Sequence, residues 1–305
     1  MSLPRRILNW LGRPLNERKS VAHAPVVERP DWWSRVAIHQ TTTLRCPLEE
    51  ELPLLEQAGV PGIGLSHLKL QDLSTAEIVA ELSGGSLQVS SVGVVGGFTN
   101  FHGYSFDEAV SEGIQLIELA KAVHAPVVRV VSGPYAGHLR KHARRLLIEG
   151  LEELLPAAQA CGVKLALQPM SPVYREWTFL NSLDAAMSVI TEFRSSHVGL
   201  ALGTYHLSSE KNLLQRIATI APWIATVQLS DWVPTNSDSD RCLPGEGELP
   251  LSEFVAAIES TGYRGWYELE VWSRDLWKHD PETLMTLCLQ SLGSLVPAST
   301  PVDAR

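Results

Sequence analysis

The sequence predicts an α/β fold, a (β/α)8 TIM barrel in a single domain, and three observations favour this fold. Eight short runs rich in β-branched and other apolar residues alternate with longer segments of helical periodicity. This alternation is typical of β-α units around a parallel sheet. No G-x-G-x-x-G turn follows the first run, so the doubly wound alternative is less favoured. Eight strands that are each followed by a helix close most simply into a barrel, whose working residues gather at the C-terminal ends of the strands.

The predicted strands are short and largely apolar, as expected for a parallel sheet that is buried on both faces. They are RVAIHQT (35–41), PGIGLS (61–66), LQVSSVGVV (87–95), PVVRVVS (126–132), VKLALQP (163–169), HVGLAL (197–202), WIATVQLS (223–230) and GWYELEV (265–271).

Helices are predicted between these strands and after the last one. They cover 48–59, 74–84, 105–123, 137–162, 182–193, 210–220, 251–262 and 281–295. Two of them open with a capping box, Ser74 with Glu77 and Ser105 with Glu108. Gly162 falls where the C-terminus of a helix favours a positive φ angle.

Length and composition indicate one barrel domain with two tails. The chain has 305 residues, of which 45% are hydrophobic, so a large core is available. We expect an N-terminal extension over 1–34, the barrel over 35–295 and a C-terminal tail over 296–305. The extension begins with a short basic amphipathic stretch, and two interpretations are open for it. It is either a frayed, flexible extension or a helix that docks on a partner or a membrane surface.

Charge and cysteine usage exclude several classes of protein. A formal net charge of -9 gives no general basic surface for nucleic acid. The four cysteines form no C-x-x-C pair, which argues against a disulfide framework or a thiolate zinc site. No apolar run approaches the roughly 20 residues of a transmembrane helix. We therefore expect a cytoplasmic protein with a small-molecule partner, and the sequence leaves a homo-oligomer open.

Six stretches at the predicted strand ends resemble one family. They are IHQTTT, LALQPMSPVY, VGLALGTYHL, VQLSDW, RCLPGEGELP and GWYELEVWS. In this order they are similar to the sugar phosphate isomerase/epimerase family of xylose isomerase-like TIM barrels. The resemblance implies a divalent ion, manganese or magnesium, over the barrel mouth. Its ligands in the family are a Glu after strand five, an Asp after strand six, a His or Gln after strand seven and a Glu after strand eight.

This chain departs from the family pattern at the implied metal ligands. Gln168 stands at the position of the first Glu, Gly203 at that of the Asp and Gln228 at the third position, while Glu270 keeps the family's acid. Hard divalent cations prefer several anionic oxygens, and a glutamine carbonyl carries no such charge. The resemblance therefore predicts a divergent member with a degenerate metal site. We expect no cofactor, or a family-type Mn or Mg ion that is held only weakly.

The resemblance also implies a set of substrate-binding residues. His206 matches a substrate-contacting His, and Arg241 matches an Arg that contacts sugar oxygens or phosphate. Lys69, Asp231 and Trp232 match positions kept in similar relatives. Two structural interpretations remain open, since Arg241 could pair with Glu246 or Glu248, and His206 could cap a helix. Several aromatic residues near the rim could stack on sugar faces, namely Tyr174, Trp177, Tyr205, Trp232, Trp272 and Trp277.

Three functional hypotheses follow. The favoured one is a family member that binds a carbohydrate or sugar phosphate, through residues that include Gln168 and Gln228, with metal-dependent catalysis lost or much reduced. The second is a metal-independent isomerase or lyase that uses Glu270, Lys69 and His206 as catalytic residues. The third is a non-catalytic interaction protein whose N-terminal segment docks on a partner.

Overall fold

The computed structural model describes residues 29–100, 103–234 and 240–296. Eight parallel strands form a closed barrel in which each strand pairs with the next along the chain and the last pairs with the first. Their bounds are β1 Val36–His39, β2 Gly62–Ser66, β3 Gln88–Gly96, β4 Val127–Val131, β5 Lys164–Leu167, β6 Val198–Gly203, β7 Ile224–Leu229 and β8 Trp266–Leu269. The predicted TIM barrel is confirmed.

The α-helices lie between the strands, as the sequence predicts. Their bounds are α1 Leu48–Gln57, α2 His67–Leu70, α3 Thr75–Leu82, α4 Phe106–Ala122, α5 Arg140–Cys161, α6 Leu183–Phe193, α7 Leu213–Ile220, α8 Leu251–Glu259 and α9 Pro281–Ser294. The short α2 was not predicted, because four residues are too few to show a helical period. Among the described residues, no helix has the length and hydropathy of a transmembrane span.

Local signals explain where several helices begin and end. Both predicted capping boxes are present, with the backbone N–H of Glu77 donating to Ser74 and that of Glu108 donating to Ser105. Gly162 follows α5 with a φ angle of 70°, a left-handed conformation that glycine adopts without steric cost. These features fix the lengths of the segments that return the chain to the next strand.

The core has two parts, one outside the barrel wall and one inside it. The larger part lies between the strands and the helices, where side chains such as Leu147, Leu151 and Leu165 are fully buried. A small cluster lies separately and consists of Val127, Ala166, Ala201 and Ala225. These four residues belong to the consecutive strands β4, β5, β6 and β7. Polar side chains take over toward the C-terminal ends.

The described chain enters the barrel slightly before the predicted boundary at residue 35. Residues Asp31–Arg35 form a 3-10 helix, and Trp32 and Trp33 are buried. The ring of Trp32 packs edge-on against Tyr267, with centroids 5.7 Å apart. The basic stretch of the predicted extension and nearly all of the predicted C-terminal tail lie outside the described residues. The interpretation of that stretch as a docking helix stays a prediction.

Candidate functional site

A cavity of about 600 Å³ opens at the C-terminal ends of the strands. The residues that line it include Arg129, Gln168, Tyr174, His206, Arg241 and Glu270. Strand β8 ends at Leu269, so Glu270 is the first residue of the loop that follows. The position of the cavity is the one at which TIM barrels carry their working residues.

Arg129 is a buried cation in the middle of β4 and contacts two residues of the site. Its Nη1 donates a hydrogen bond of 2.8 Å to Oε1 of Glu270. Its Nη2 lies 2.6 Å from Nε2 of His39. The side chain of Arg129 is 3% exposed, so the ion pair is shielded from solvent. A charge buried in this way requires a partner, and Glu270 provides it.

His39 at the end of β1 is held neutral by its surroundings. A guanidinium can only donate, so Nε2 of His39 accepts from Arg129. Nδ1 of His39 lies 2.9 Å from the hydroxyl of Thr41 and 3.2 Å from the backbone nitrogen of the same residue. Burial, followed by the charge of Arg129, lowers the pKa of His39 to about 4. His39 is therefore uncharged at neutral pH.

Arg241 forms a second polar cluster with the residues after β6. Its Nη2 lies 3.0 Å from Nε2 of His206, and its Nη1 donates to the backbone carbonyl of Glu270 at 3.3 Å. The guanidinium also lies over the ring of Tyr205, 4.8 Å from its centroid, and 5.7 Å from that of Tyr174. Neither Glu246 nor Glu248 is among its recorded contacts in the described residues. Arg241 thus faces the site.

The two arginines influence the pKa values of His206 and Glu270. Burial and the charge of Arg241 lower the pKa of His206 well below its ordinary value. Burial alone would raise the pKa of Glu270, but the charges of Arg129 and Arg241 hold it far below its ordinary value. Its Oε2 has no hydrogen-bond partner among the described residues. Glu270 is thus an ionised carboxylate with one oxygen already paired.

The positions that the resemblance assigned to metal ligands come together only in part. Gln168 is 3% exposed and lines the cavity. Gln228 is turned toward Glu268, to whose Oε2 its amide donates at 3.2 Å. Gly203 has no positive φ angle, so its backbone does not require glycine. A Cβ atom there would lie 3.2 Å from Cδ2 of His206, a close contact that a small shift relieves. In the described residues, no group of three or more His, Cys, Asp or Glu could hold a metal ion.

Five of the predicted site residues do not line the described cavity, namely Lys69, Gly203, Gln228, Asp231 and Trp232. Lys69 forms an ion pair with Glu51 and donates to the carbonyl of Thr43 at 3.1 Å. The side chain of Asp231 accepts backbone N–H groups from Gly245, Gly247 and Leu249 at 3.0 to 3.1 Å. Trp232 follows it and donates its backbone N–H to the same carboxylate at 2.9 Å. Asp231 therefore organises the glycine-rich loop after β7.

Sequence reasoning missed Arg129 and assigned no role to His39. The available signal was the run VVRVV, in which a single charged residue interrupts a strand of valines. Side chains alternate along a strand, so the central residue faces away from the helices that cover its neighbours. An arginine that faces the barrel interior has to find a buried partner.

Comparison with known proteins places these observations in a family. The family model of xylose isomerase-like TIM barrels matches residues 52–287. A D-psicose 3-epimerase of Enterocloster bolteae is 28% identical over 123 residues, which cover 40% of this chain and 38% of that protein. An inosose isomerase of Bacillus velezensis is 21% identical over 86% of this chain and 97% of its own length. The solved structure of an IOLI protein with a bound zinc atom has the same fold, with a TM-score of 0.75, 20% identity and coverage of 86% of this chain and 98% of that one.

Proposed function

We propose, from the premise that the chain belongs to the xylose isomerase-like TIM-barrel family, that its barrel mouth binds a carbohydrate or sugar phosphate and that metal-dependent catalysis is lost or much reduced. In this proposal, the chain keeps the ligand binding of the family's sugar isomerases and epimerases but not their metal-dependent reaction. His206 and Arg241 would contact the ligand's oxygens, and Tyr174 would pack against it.

One observation supports the proposed loss of metal-dependent catalysis. Glu270, the carboxylate that remains at the implied ligand positions, is already paired with the guanidinium of Arg129 at 2.8 Å. The other positions provide an amide at Gln168, an amide turned to Glu268 at Gln228, and no side chain at Gly203. Hard divalent ions prefer several anionic oxygens, so this donor set does not fit such an ion.

The same ion pair weakens Glu270 as a base. A general base works best when its pKa lies near the operating pH. The charge of Arg129 holds the pKa of Glu270 far below that range, although burial opposes the effect. Proton abstraction from a sugar carbon by this carboxylate would therefore be slow.

The alternative of a metal-independent isomerase or lyase needs a cation beside Glu270, and the sequence suggested Lys69. The contacts of Lys69 with Glu51 and Thr43 give that role no support. The interaction-protein alternative depends on the N-terminal stretch outside the described residues. A cytoplasmic location and a ligand of low molecular weight remain part of the proposal.

A binding panel combined with a proton-exchange assay tests the proposal. The purified full chain is titrated calorimetrically with neutral sugars and sugar phosphates, and exchange of ligand C–H protons into D2O is followed by NMR with and without added Mn2+. We expect saturable binding and no Mn2+-stimulated exchange. Rapid exchange that depends on Mn2+ would overturn the loss of catalysis, and no binding by any sugar or sugar phosphate would overturn the assigned ligand class.

A further inference from the structure

The cavity is positively charged inside a chain that is negative overall. Arg129 and Arg241 line it together with one carboxylate, that of Glu270. Arg274 adds a third arginine at the exposed rim. The whole chain has a formal net charge of -9. The excess of cations is therefore a local feature of the barrel mouth.

The carboxylate of Glu268 already accepts hydrogen bonds from neighbouring side chains. Glu268 lies two residues earlier in the chain, inside β8, and does not line the described cavity. Ser90 and Ser91 donate to its Oε1 at 2.6 and 2.5 Å, and Gln228 donates to its Oε2. Glu268 still attracts Arg129 electrostatically, but its oxygens are occupied below the cavity floor.

Both buried arginines keep unused donors. The Nε atoms of Arg129 and Arg241 have no hydrogen-bond partner among the described residues, but both atoms are inaccessible to solvent. An anion in the cavity would therefore be attracted by the charge of the guanidiniums rather than bound by these N–H groups. Burial lowers the pKa of Arg129, Glu270 and Glu268 raise it above its ordinary value, and repulsion from Arg241 opposes that rise. Two buried guanidiniums beside a single carboxylate side chain leave an excess of positive charge, which favours a further negative charge in the cavity.

The backbone of β3 makes room for Arg129. A Cβ atom at Gly93 would lie 3.1 Å from Cβ and 3.2 Å from Nε of Arg129. Gly93 lines the same cavity, so the absence of its side chain lets the guanidinium reach Glu270 along the cavity wall.

We propose that the barrel mouth is an anion site, in which Arg129 and Arg241 bind the carboxylate or phosphate group of a small hydroxylated acid. Arg129 provides positive charge at the place where the family resemblance put a divalent ion. The cavity volume of about 600 Å³ suits a ligand of sugar size. This inference rests on the proposed function and narrows its ligand class to anions.

Isothermal titration calorimetry with four probes at constant ionic strength tests the inference. The probes are D-glucose, D-gluconate, D-glucose 6-phosphate and inorganic phosphate. We expect at least one acidic sugar to bind ~10-fold or more tightly than D-glucose, and comparison of gluconate with glucose 6-phosphate identifies the preferred anion. Binding of D-glucose as tightly as both acidic sugars would overturn the anion site and leave the proposed function standing.

Two variants distinguish a specific role of the Arg129 guanidinium from a general effect of positive charge on anion binding. Glu270→Gln keeps an acceptor for Arg129 but removes the competing carboxylate, so we expect ~10-fold tighter binding of the acidic probe. Adding Arg129→Met to that variant should abolish the gain and weaken binding below the wild-type level. The matched control is Arg175→Gln, which removes one positive charge from an exposed residue that does not line the described cavity.

The remaining outcomes are also decisive. Weaker anion binding by Glu270→Gln than by the wild type would overturn the role of Arg129. The same conclusion would follow if Arg175→Gln lowered the affinity for the anion as much as Arg129→Met does in the Glu270→Gln variant. Binding of inorganic phosphate without binding of any sugar would support the anion site and contradict the proposed carbohydrate ligand. Absence of binding by all four probes would overturn both.

Discussion

Arg129 and Glu270 form an ion pair across the barrel, with Nη1 of the arginine 2.8 Å from Oε1 of the carboxylate. Arg129 lies in β4, and Glu270 directly follows β8, which is the opposite strand in a barrel of eight. Both side chains are nearly inaccessible to solvent. The pair therefore links the two sides of the barrel mouth. It also neutralises the charge of Glu270, the acid that the family resemblance assigned to metal binding.

Removing one partner of this pair should destabilise the fold more than removing both. For Arg129→Met we expect the free energy of unfolding to fall by about 3–5 kcal/mol, because a buried carboxylate is left without its cation. The double variant Arg129→Met/Glu270→Gln should recover a large part of that loss. Urea denaturation followed by circular dichroism measures both values. Equal losses in the single and double variants would show that the pairing is not the cause.

Carboxylates added at the implied ligand positions should raise the affinity for Mn2+ more strongly when Arg129 is also removed. Gln168→Glu with Gly203→Asp adds two anionic groups, and the backbone of Gly203 accepts a side chain once His206 moves slightly. A neighbouring guanidinium opposes a divalent ion, so we expect the triple variant with Arg129→Met to bind Mn2+ ~10-fold or more tightly than the double variant.

Calorimetric titration with Mn2+ measures this difference. The control carries Gly203→Asn in place of Gly203→Asp, which adds a side chain of similar size without its charge. Equal Mn2+ affinities for the double and triple variants would show that Arg129 does not exclude the ion.

The fold was predictable because its signals are local, whereas the central contact of the site is not local. Runs of β-branched residues and capping boxes lie within a few residues of the elements that they specify. Arg129 and Glu270 are 141 residues apart in the chain, and no spacing rule joins them. Glu51 illustrates the same difficulty, since it lies in an acidic helical segment typical of an exposed face but is fully buried beside Lys69. The positions of Gln168, Gly203 and Gln228 came from the family resemblance, which does not specify what replaces the lost charges.

Asp231 should act on the loop after β7 rather than on the ligand directly. Its carboxylate accepts three backbone N–H groups between Gly245 and Leu249, so Asp231→Ala would leave these donors unpaired. We expect amide hydrogen exchange in residues 243–249 to accelerate by ~10-fold or more, equivalent to about 1.4 kcal/mol of local stability. Hydrogen exchange with mass spectrometry measures the effect. Glu248→Gln is the matched control in the same loop, and unchanged exchange in Asp231→Ala would contradict the loop assignment.

The pH dependence of stability should report the neutral state of His39. Burial and Arg129 lower the pKa of His39 to about 4 from an ordinary value of 6.5. Between these two values the unfolded chain binds a proton that the folded chain does not, so the free energy of unfolding falls as the pH drops through this window. Glu270 acts in the same direction only below its ordinary pKa of 4.5, and His206 adds to the effect of His39.

Denaturation between pH 6.5 and 5 therefore isolates the histidines from Glu270. Over this interval His39 alone should cost about 1–2 kcal/mol of stability, following a value of 1.36 kcal/mol per pKa unit. The variant His39→Gln keeps an amide oxygen that can accept from Arg129, so it should remain folded and lose that part of the pH dependence. His279→Gln makes the same substitution at an exposed histidine and serves as the control. A wild-type pH profile in His39→Gln would mean that the pKa of His39 is the same in the folded and unfolded protein, since such a group contributes no slope.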